Sequence, residues 1–389
     1  MPAPTHSDIA RLRDSVRALC ADYPNEYWRE LDRTRSYPED FVNALTKAGY
    51  LAALVPAEYG GMGLGMHEAC VILEEINRSG GNATACHAQM YTMGALVRHG
   101  SAEQKLRYLP RIASGDLRLQ GFSITEPEAG SDTTRIVTEA VKDGDFYRIS
   151  GHKNWTSRIE QSDLLIVLAR TAPRRDSHKT AGLSLFLVDL QQVRQEQPEA
   201  LEVEPVRVMF NYPTNQVTYR NLRVPADALL GEEGNGFRHV IDGWNAERIL
   251  LSSEAIGDGY WFIDRASEYA SKRRVFDRYI GENQGVQFPI AEAYVDVRAA
   301  DLMRSDAADL FDRGEPCGAE ANMAKLLSSK ASWAAANICL DTHGGNGFVD
   351  TFDVERKFRE TRLYSVAPIS NNLVLGFIGT KLLNMPRSY

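Results

Sequence analysis

The sequence predicts an α+β protein with a helical N-terminal domain, a β-rich middle domain and a C-terminal four-helix bundle. Two observations carry this. Short runs rich in β-branched and aromatic residues, separated by turn residues, are confined to about residues 118–230. Apolar residues at helical spacing fill the chain on both sides of that stretch. The length of 389 residues leaves room for two or three domains and a large core. The expected divisions are 1–117, 118–232 and 233–389.

In the first part, residues 7–23 have helical periodicity. Pro38, Glu39 and Asp40 open a second helix with proline and acids in its first turn, and Gly49 closes it. Residues 66–78 and 84–99 continue the pattern, and Ser101 with Gln104 forms a capping-box start for the next helix. In the middle part, LRLQGFSI, RIVTEAV, FYRIS, DLLIVLAR and LSLFLVDL read as strands, and residues 172–180 as a solvated loop. In the last part, residues 236–272 form one long helical pattern. Residues 288–313 and 319–341 follow, and Gly344-Gly345 stops the last of them.

Composition narrows the function classes. A net charge of −8 and the absence of a long basic run argue against a nucleic-acid partner. No apolar run reaches the roughly 18 residues that cross a bilayer, and MPAPTHSDIARLRD lacks the apolar core of a secretory signal. Cys20, Cys70, Cys86, Cys317 and Cys339 are scattered, odd in number and without a CxxC. They read as reduced thiols of a cytoplasmic protein, with no zinc site.

The most informative motif is GFSITEPEAGSD at residues 121–132, followed by Trp155-Thr156-Ser157. Small and hydroxyl-bearing residues on a turn, backed by a Trp from a nearby strand, suit a flat polar ring. Each residue alone also fits an ordinary turn or a strand core.

The layout and these two motifs resemble the acyl-CoA dehydrogenase family of flavoenzymes. The resemblance runs over essentially the whole chain. It includes GYLAALVPAEYGGMGLG, GSAEQKLRYLPRIASG, YASKRRVFDRYIGENQGVQF, and HGGNGF with VERKFRETRLY behind it. It implies FAD, an acyl-CoA substrate, electron-transfer flavoprotein as acceptor, and a homotetramer built as a dimer of dimers. By position, Phe122, Ile124, Thr125, Trp155 and Ser157 would contact the flavin, and Ser131 its pyrophosphate region or the CoA chain. Arg273, Phe276, Gln284, Asp341, Gly344 and Gly345 would reach the FAD of a neighbouring subunit. Ser370 and Asn372 are further cofactor positions. Asp341 departs from the family's usual Gln, and Glu128 from its usual Gly. A residue without Cβ lets backbone approach a phosphate closely, and an Arg offers a fork of donors for one. Read without the family, Arg273 is equally a solvated helix end and Gly344-Gly345 a helix stop.

Removing the α-proton of a thioester requires an aimed carboxylate. The family's usual position for it falls after Arg359–Tyr364, where this chain has Pro368. Isovaleryl- and long-chain-like members instead carry the glutamate on the first bundle helix, directly before an Arg. Here the stretch is Trp244-Asn245-Ala246-Glu247-Arg248. Phe237, Val240, Trp244 and Leu251 step along one helix face, and Glu247 falls on that line. Glu247 is therefore the expected base, its pKa raised by burial. The alternative is a surface glutamate paired with Arg248. Pro368 also lacks the backbone N–H that would hold the thioester carbonyl. Ile369, a reshaped loop or a flavin ribityl hydroxyl are the alternatives; Pro368 also suits the start of a last helix. Arg248 is expected to hold the CoA end or orient Glu247. Gln89, Met90, Met93 and Trp244 are candidates for the acyl pocket. The expected reaction is α,β-dehydrogenation to a 2-enoyl-CoA. The rivals are another chemistry on an acyl-CoA (desulfinase, oxidase or reductase) and a non-catalytic scaffold.

Overall fold

The computed structural model describes residues 6–387. Six helices come first: α1 His6–Ala21, α2 Asn25–Thr34, α3 Glu39–Lys47, α4 Met66–Arg78, α5 Thr84–His99 and α6 Ala102–Ser114. Ser101 caps α6 as expected: its hydroxyl accepts from Gln104 N at 3.1 Å, while Gln104 Oε1 accepts from Ser101 N at 3.0 Å. The sequence reading did not anticipate α2, a short amphipathic helix that buries Trp28.

The middle part contains β1 Gly121–Ser123, β2 Glu139–Asp143, β3 Phe146–Ser157, β4 Leu164–Arg170, β5 Leu183–Asp189, α7 Leu190–Glu196, β6 Leu201–Val206, β7 Thr214–Pro225 and β8 Leu229–Leu230. They form one eight-stranded sheet in the order β6-β7-β3-β2-β4-β5-β8, with β1 parallel to β4. RIVTEAV is only partly strand. Residues 133–135 make a 3₁₀ turn, and pairing begins at Glu139. Both faces of β4 and β5 are covered, which is why they read as continuous apolar runs. Leu164, Ile166 and Leu168 pack with Met93, Leu96 and Leu109 of α5 and α6. Leu165, Val167 and Ala169 pack on the other face with Ile149, Val217 and Leu222 of β3 and β7.

The C-terminal part contains α8 Gly236–Lys272, the hairpin β9 Arg274–Val275 and β10 Arg278–Tyr279, then α9 Gln284–Asp312, α10 Gly318–His343, α11 Val354–Thr361 and α12 Asn371–Phe377. The three long helices pack through small residues such as Ala266, Ala293, Ala300, Ala335 and Ala336. Helix α8 also crosses α4 closely. A Cβ at Gly257 would come 2.4 Å from Glu74 O, so this contact requires glycine. That crossing seats α8 against the N-terminal helices, where Ala246, Ile249 and Leu250 join Ile72, Leu73, Cys86 and Met90 in one core.

Among the described residues, no helix is long and apolar enough to cross a membrane. All five cysteines are buried and free.

Candidate active site

The sheet brings the two leading motifs together. Asn154 N donates to Thr125 O at 2.8 Å, and the Ser123 and Thr156 hydroxyls meet at 3.0 Å. Thr125, Trp155 and Ser157 thereby share one edge, with Phe122 and Ile124 half-buried behind it. Trp155 is not a strand-core residue. It is 56% exposed, with a positive φ of 60°. A bulky aromatic held in that conformation at the surface fits a face built to receive a planar group. Ser131 is exposed on the adjoining turn.

A second group lies at the far end of the bundle. Arg273, Phe276 and Gln284 are exposed, and Phe276 is 95% exposed with a positive φ of 51°. Arg273 N donates to Tyr269 O at 2.9 Å, and Tyr269 OH accepts from Asn346 Nδ2 at 2.9 Å. One tyrosine thus ties the hairpin to the glycine turn. A Cβ at Gly345 would meet nothing of this chain within 4 Å. Packing within the chain therefore does not call for glycine there. A group approaching from outside would. Both surfaces fit FAD: the first the ring, the second a diphosphate met by bare backbone and an arginine. Asp341 is exposed at the end of α10, while Ser370 caps α12 through a 3.3 Å bond from Leu373 N. Asn372 is exposed on the first turn of α12.

Glu247 lies on the inward side of α8. Its helix neighbours Ala246, Ile249 and Leu250 are buried, while its own side chain keeps a partly exposed edge. Burial raises its pKa to about 7; His87 and Arg248 oppose the rise and Glu254 adds to it. Arg248 is buried and makes no direct pair with this carboxylate. Its Nη1 donates to Asn245 Oδ1 at 3.0 Å, and its Nε has no hydrogen-bond partner. On its other side lies Lys325 of α10, pulled down to about 7 by burial and by Arg248. Lys325 Nζ donates to Ile369 O at 2.5 Å and to Asn371 Oδ1 at 2.9 Å. Lys325 therefore fastens the loop that carries Pro368. That proline stands two residues before the Ser370 cap and does not begin the helix itself.

Of the acyl-pocket candidates, Met90 and Met93 are fully buried, and Trp244 meets Phe237 edge-on with ring centroids 6.0 Å apart. Gln89 is buried and turned to Leu51 O at 3.5 Å. The sequence reading passed over His87, Tyr91 and Glu254. His87 and Tyr91 are one turn apart on α5, and Glu247 and Glu254 two turns apart on α8. Polar residues repeating at helical spacing on otherwise buried faces were the available signal.

Family models match the chain in three stretches: the acyl-CoA dehydrogenase N-terminal domain over residues 7–116, the middle domain over 121–220 and the C-terminal domain over 234–382. The chain belongs to the acyl-CoA dehydrogenase family, a class of oxidoreductases. It is 34% identical over 381 residues to the acyl-CoA dehydrogenase fadE12 of Mycobacterium bovis, covering 97% of this chain and 96% of the relative. It is 31% identical over 376 residues to a 3-(aryl)acrylate reductase of Clostridium sporogenes, covering 95% and 97%. Its fold is similar to that of a glutaryl-coenzyme A dehydrogenase in complex with glutaryl-CoA. That match has a TM-score of 0.90 and 27% identity, and it covers 100% of this chain and 98% of the other.

Proposed function

We propose that this chain binds FAD and dehydrogenates an acyl-CoA thioester between Cα and Cβ, with Glu247 as the base. The observation that carries the reading is a desolvated carboxyl on α8, titrating at about 7, in a chain whose residue 368 is a proline. FAD, when bound, would supply the two-electron acceptor for the hydride lost from Cβ. The chain's own residues do the rest. Thr125, Ser157 and Trp155 hold the ring at the β1–β3 edge. Arg273, Phe276, Gln284, Gly344 and Gly345 serve the FAD of a neighbouring subunit in a tetramer. Met93 and Trp244 bound the acyl chain. Glu247 takes the α-proton, and its raised pKa makes it basic enough for the task yet half-ionised near neutrality. Arg248 acts on Glu247 through its field, and through Lys325 it adjoins the loop after Pro368. Electrons pass on to electron-transfer flavoprotein.

A second reading is reduction of a 2-enoyl thioester or a related acrylate. The likeness to the aryl-acrylate reductase favours it. A carboxyl titrating at about 7 also serves as the acid in that direction. Anaerobic mixing with a panel of saturated acyl-CoAs decides between them. Bleaching of the flavin, with an enoyl-CoA product and loss of both in Glu247→Gln, is the expected result. No bleaching by any thioester, or full activity in Glu247→Gln, overturns the assignment.

A further inference from the structure

Stripping water from an ion is costly, so buried charges are normally paired. Arg158 departs from this pattern, at the wall of a cavity. It follows β3 directly, one residue after Ser157, and is 3% exposed. Its backbone is fixed at a positive φ of 56°: Arg158 N donates to Pro213 O at 3.0 Å, and Arg158 O accepts from Ser162 Oγ at 2.7 Å. Among the described residues its guanidinium makes no ion pair. It lies over the Tyr212 ring, 4.6 Å from the centroid, and reaches Tyr212 OH only at 3.5 Å. Stacking occupies the face of a guanidinium and leaves its N–H edge for a second partner.

The cavity measures about 420 Å³ with its mouth included. Its walls are α2 and the link to α3, the start of α5, the β6–β7 loop and the end of α11. None of the residues placed against the flavin, the base or the acyl chain lines it. The walls are held firmly. Tyr37 OH donates to Gln120 Oε1 at 2.8 Å, and Asn211 Nδ2 donates to Leu31 O at 3.0 Å and to Ser36 O at 2.8 Å. Both lining acids have cations of their own. Asp32 meets Arg359 at 2.7 Å, while Glu360 Oε1 accepts from Arg356 at 3.1 Å and Lys357 lies 3.5 Å from Oε2. Arg158 is thus the lining charge without a counter-ion among the described residues. Asn82, also in the wall, accepts from Thr84 N at 3.0 Å through Oδ1, which leaves its Nδ2 to donate.

We infer that this cavity binds a carboxylate, with Arg158 as its anchor and Asn82 Nδ2 as a further donor. A planar carboxylate matches the guanidinium edge in two parallel N–H···O bonds and brings the missing negative charge. The cavity adjoins the proposed cleft. Arg158 is next in the chain to Ser157, and Thr84 and Ala85 in its wall open α5, the helix that carries Met90 and Met93. The carboxylate therefore has two sources: the far end of a dicarboxylic acyl group bound as its thioester, or a free dicarboxylic acid. The first source rests on the reading of this chain as an acyl-CoA dehydrogenase, and the second does not.

Two measurements on the holoenzyme test the site and separate its sources. In the first, kcat/KM is measured for glutaryl-, adipyl- and suberyl-CoA and for the monocarboxylic acyl-CoAs of the same lengths, and read as a ratio. In the second, the melting temperature is followed against succinate, glutarate and adipate at constant ionic strength, with chloride as the control. That readout needs no turnover. If the carboxylate is carried by the acyl group, Arg158→Met should lower the dicarboxylic-to-monocarboxylic ratio about tenfold or more, the effect of one lost charge-assisted pair. If the free acid is the ligand, the melting temperature of the native protein rises saturably and Arg158→Met abolishes the rise. Either result supports the site and names its source. An unchanged ratio in Arg158→Met together with no saturable rise in the native protein overturns it. Where Arg158→Met does not hold flavin, Asn82→Asp decides. It keeps the oxygen that accepts from Thr84 and sets a negative charge in the wall, so it should reproduce the same loss, and a native ratio with a native melting response overturns the site. If no thioester is turned over at all, the dehydrogenase reading fails, and the melting response alone decides the cavity.

Discussion

Lys153 Nζ lies 3.0 Å from Glu126 Oε1, and both side chains are buried. The glutamate belongs to the TEPEAGSD turn and the lysine to β3, two residues before Trp155. The pair is knitted in further. Lys153 also donates to Ile124 O at 2.8 Å, and Glu126 accepts from Val137 N at 2.8 Å and Thr138 N at 2.9 Å. Burial pulls the ammonium down to about 8. Burial alone would raise the carboxyl, but Lys153 and the two N–H groups hold it below its ordinary value. The turn that presents Thr125 is therefore clamped to the strand that presents Trp155. Removing one partner leaves an uncompensated buried charge, at a cost of about 3–5 kcal/mol. Glu126→Ala should lower the unfolding midpoint accordingly and release flavin on gel filtration. A Glu126→Gln/Lys153→Met double variant should recover much of the stability, because no charge is stranded. A thermal melt of the two variants checks this.

With Glu247 as the proposed base, its titration predicts the pH dependence of the first half-reaction. With its pKa at about 7, the ionised base is a minority at pH 6 and dominant at pH 8. The rate of flavin reduction at low acyl-CoA should rise through an apparent pKa near 7 and then level off. A flat profile between pH 5.5 and 8.5, measured by stopped flow, would contradict the desolvated carboxyl.

The same shift has a consequence for stability, of opposite sense to a salt bridge. The folded pKa lies above the unfolded value of 4.5, so the folded state holds its proton longer. Stability is therefore lost as pH rises from about 4.5 to about 7 and stays lost above that. Glu247→Gln removes the penalty. It should raise the melting temperature at pH 8 by a few degrees and change it little at pH 4.5, while abolishing dehydrogenation.

Gly345 distinguishes a helix stop from a cofactor contact. Its Cβ position is open within this chain, and its φ is not in the left-handed region, unlike that of Gly344 at 56°. Gly345→Ala should leave the melting temperature of the apoprotein unchanged and weaken FAD binding at least tenfold. Equal FAD affinity, measured by titration of apoprotein, would return this glycine to a local backbone role.

Much of this was legible in the chain. The long helices were visible because their apolar residues repeat over many turns, and the capping box at Ser101 marked α6 to the residue. Helix α2 was missed because it is only ten residues long and mostly charged, with Tyr27, Trp28 and Leu31 its few apolar residues. Glu247 could be placed on the inward face of α8 from the positions of Val240 and Leu251. The groups that act on it could not, because His87 stands on α5, which is brought against α8 by a helix crossing that no local pattern encodes. The Lys153–Glu126 clamp was hidden for a similar reason. A charged residue in a strand or turn reads as solvated until its partner, 27 residues away, is brought beside it.

Trp244 should set the length of the acyl group. It stands one turn before Glu247 on the same helix face, packed edge-on against Phe237 and in contact with the core that contains Met93 and Val240. Replacing the indole by a methyl group opens space next to the base without stranding a charge. Each additional methylene buried in that space is worth about 0.8 kcal/mol, or roughly fourfold in kcat/KM. Trp244→Ala should therefore move the preferred substrate toward chains longer by two carbons, with the long-to-short ratio of kcat/KM rising about fifteenfold. Thr92 and Gln89, buried on α5 with Oγ1 and Oε1 unpaired, are not expected to produce this shift when replaced by Val and Leu. An unchanged chain-length profile in Trp244→Ala, with flavin reduction intact, would place the end of the acyl chain elsewhere.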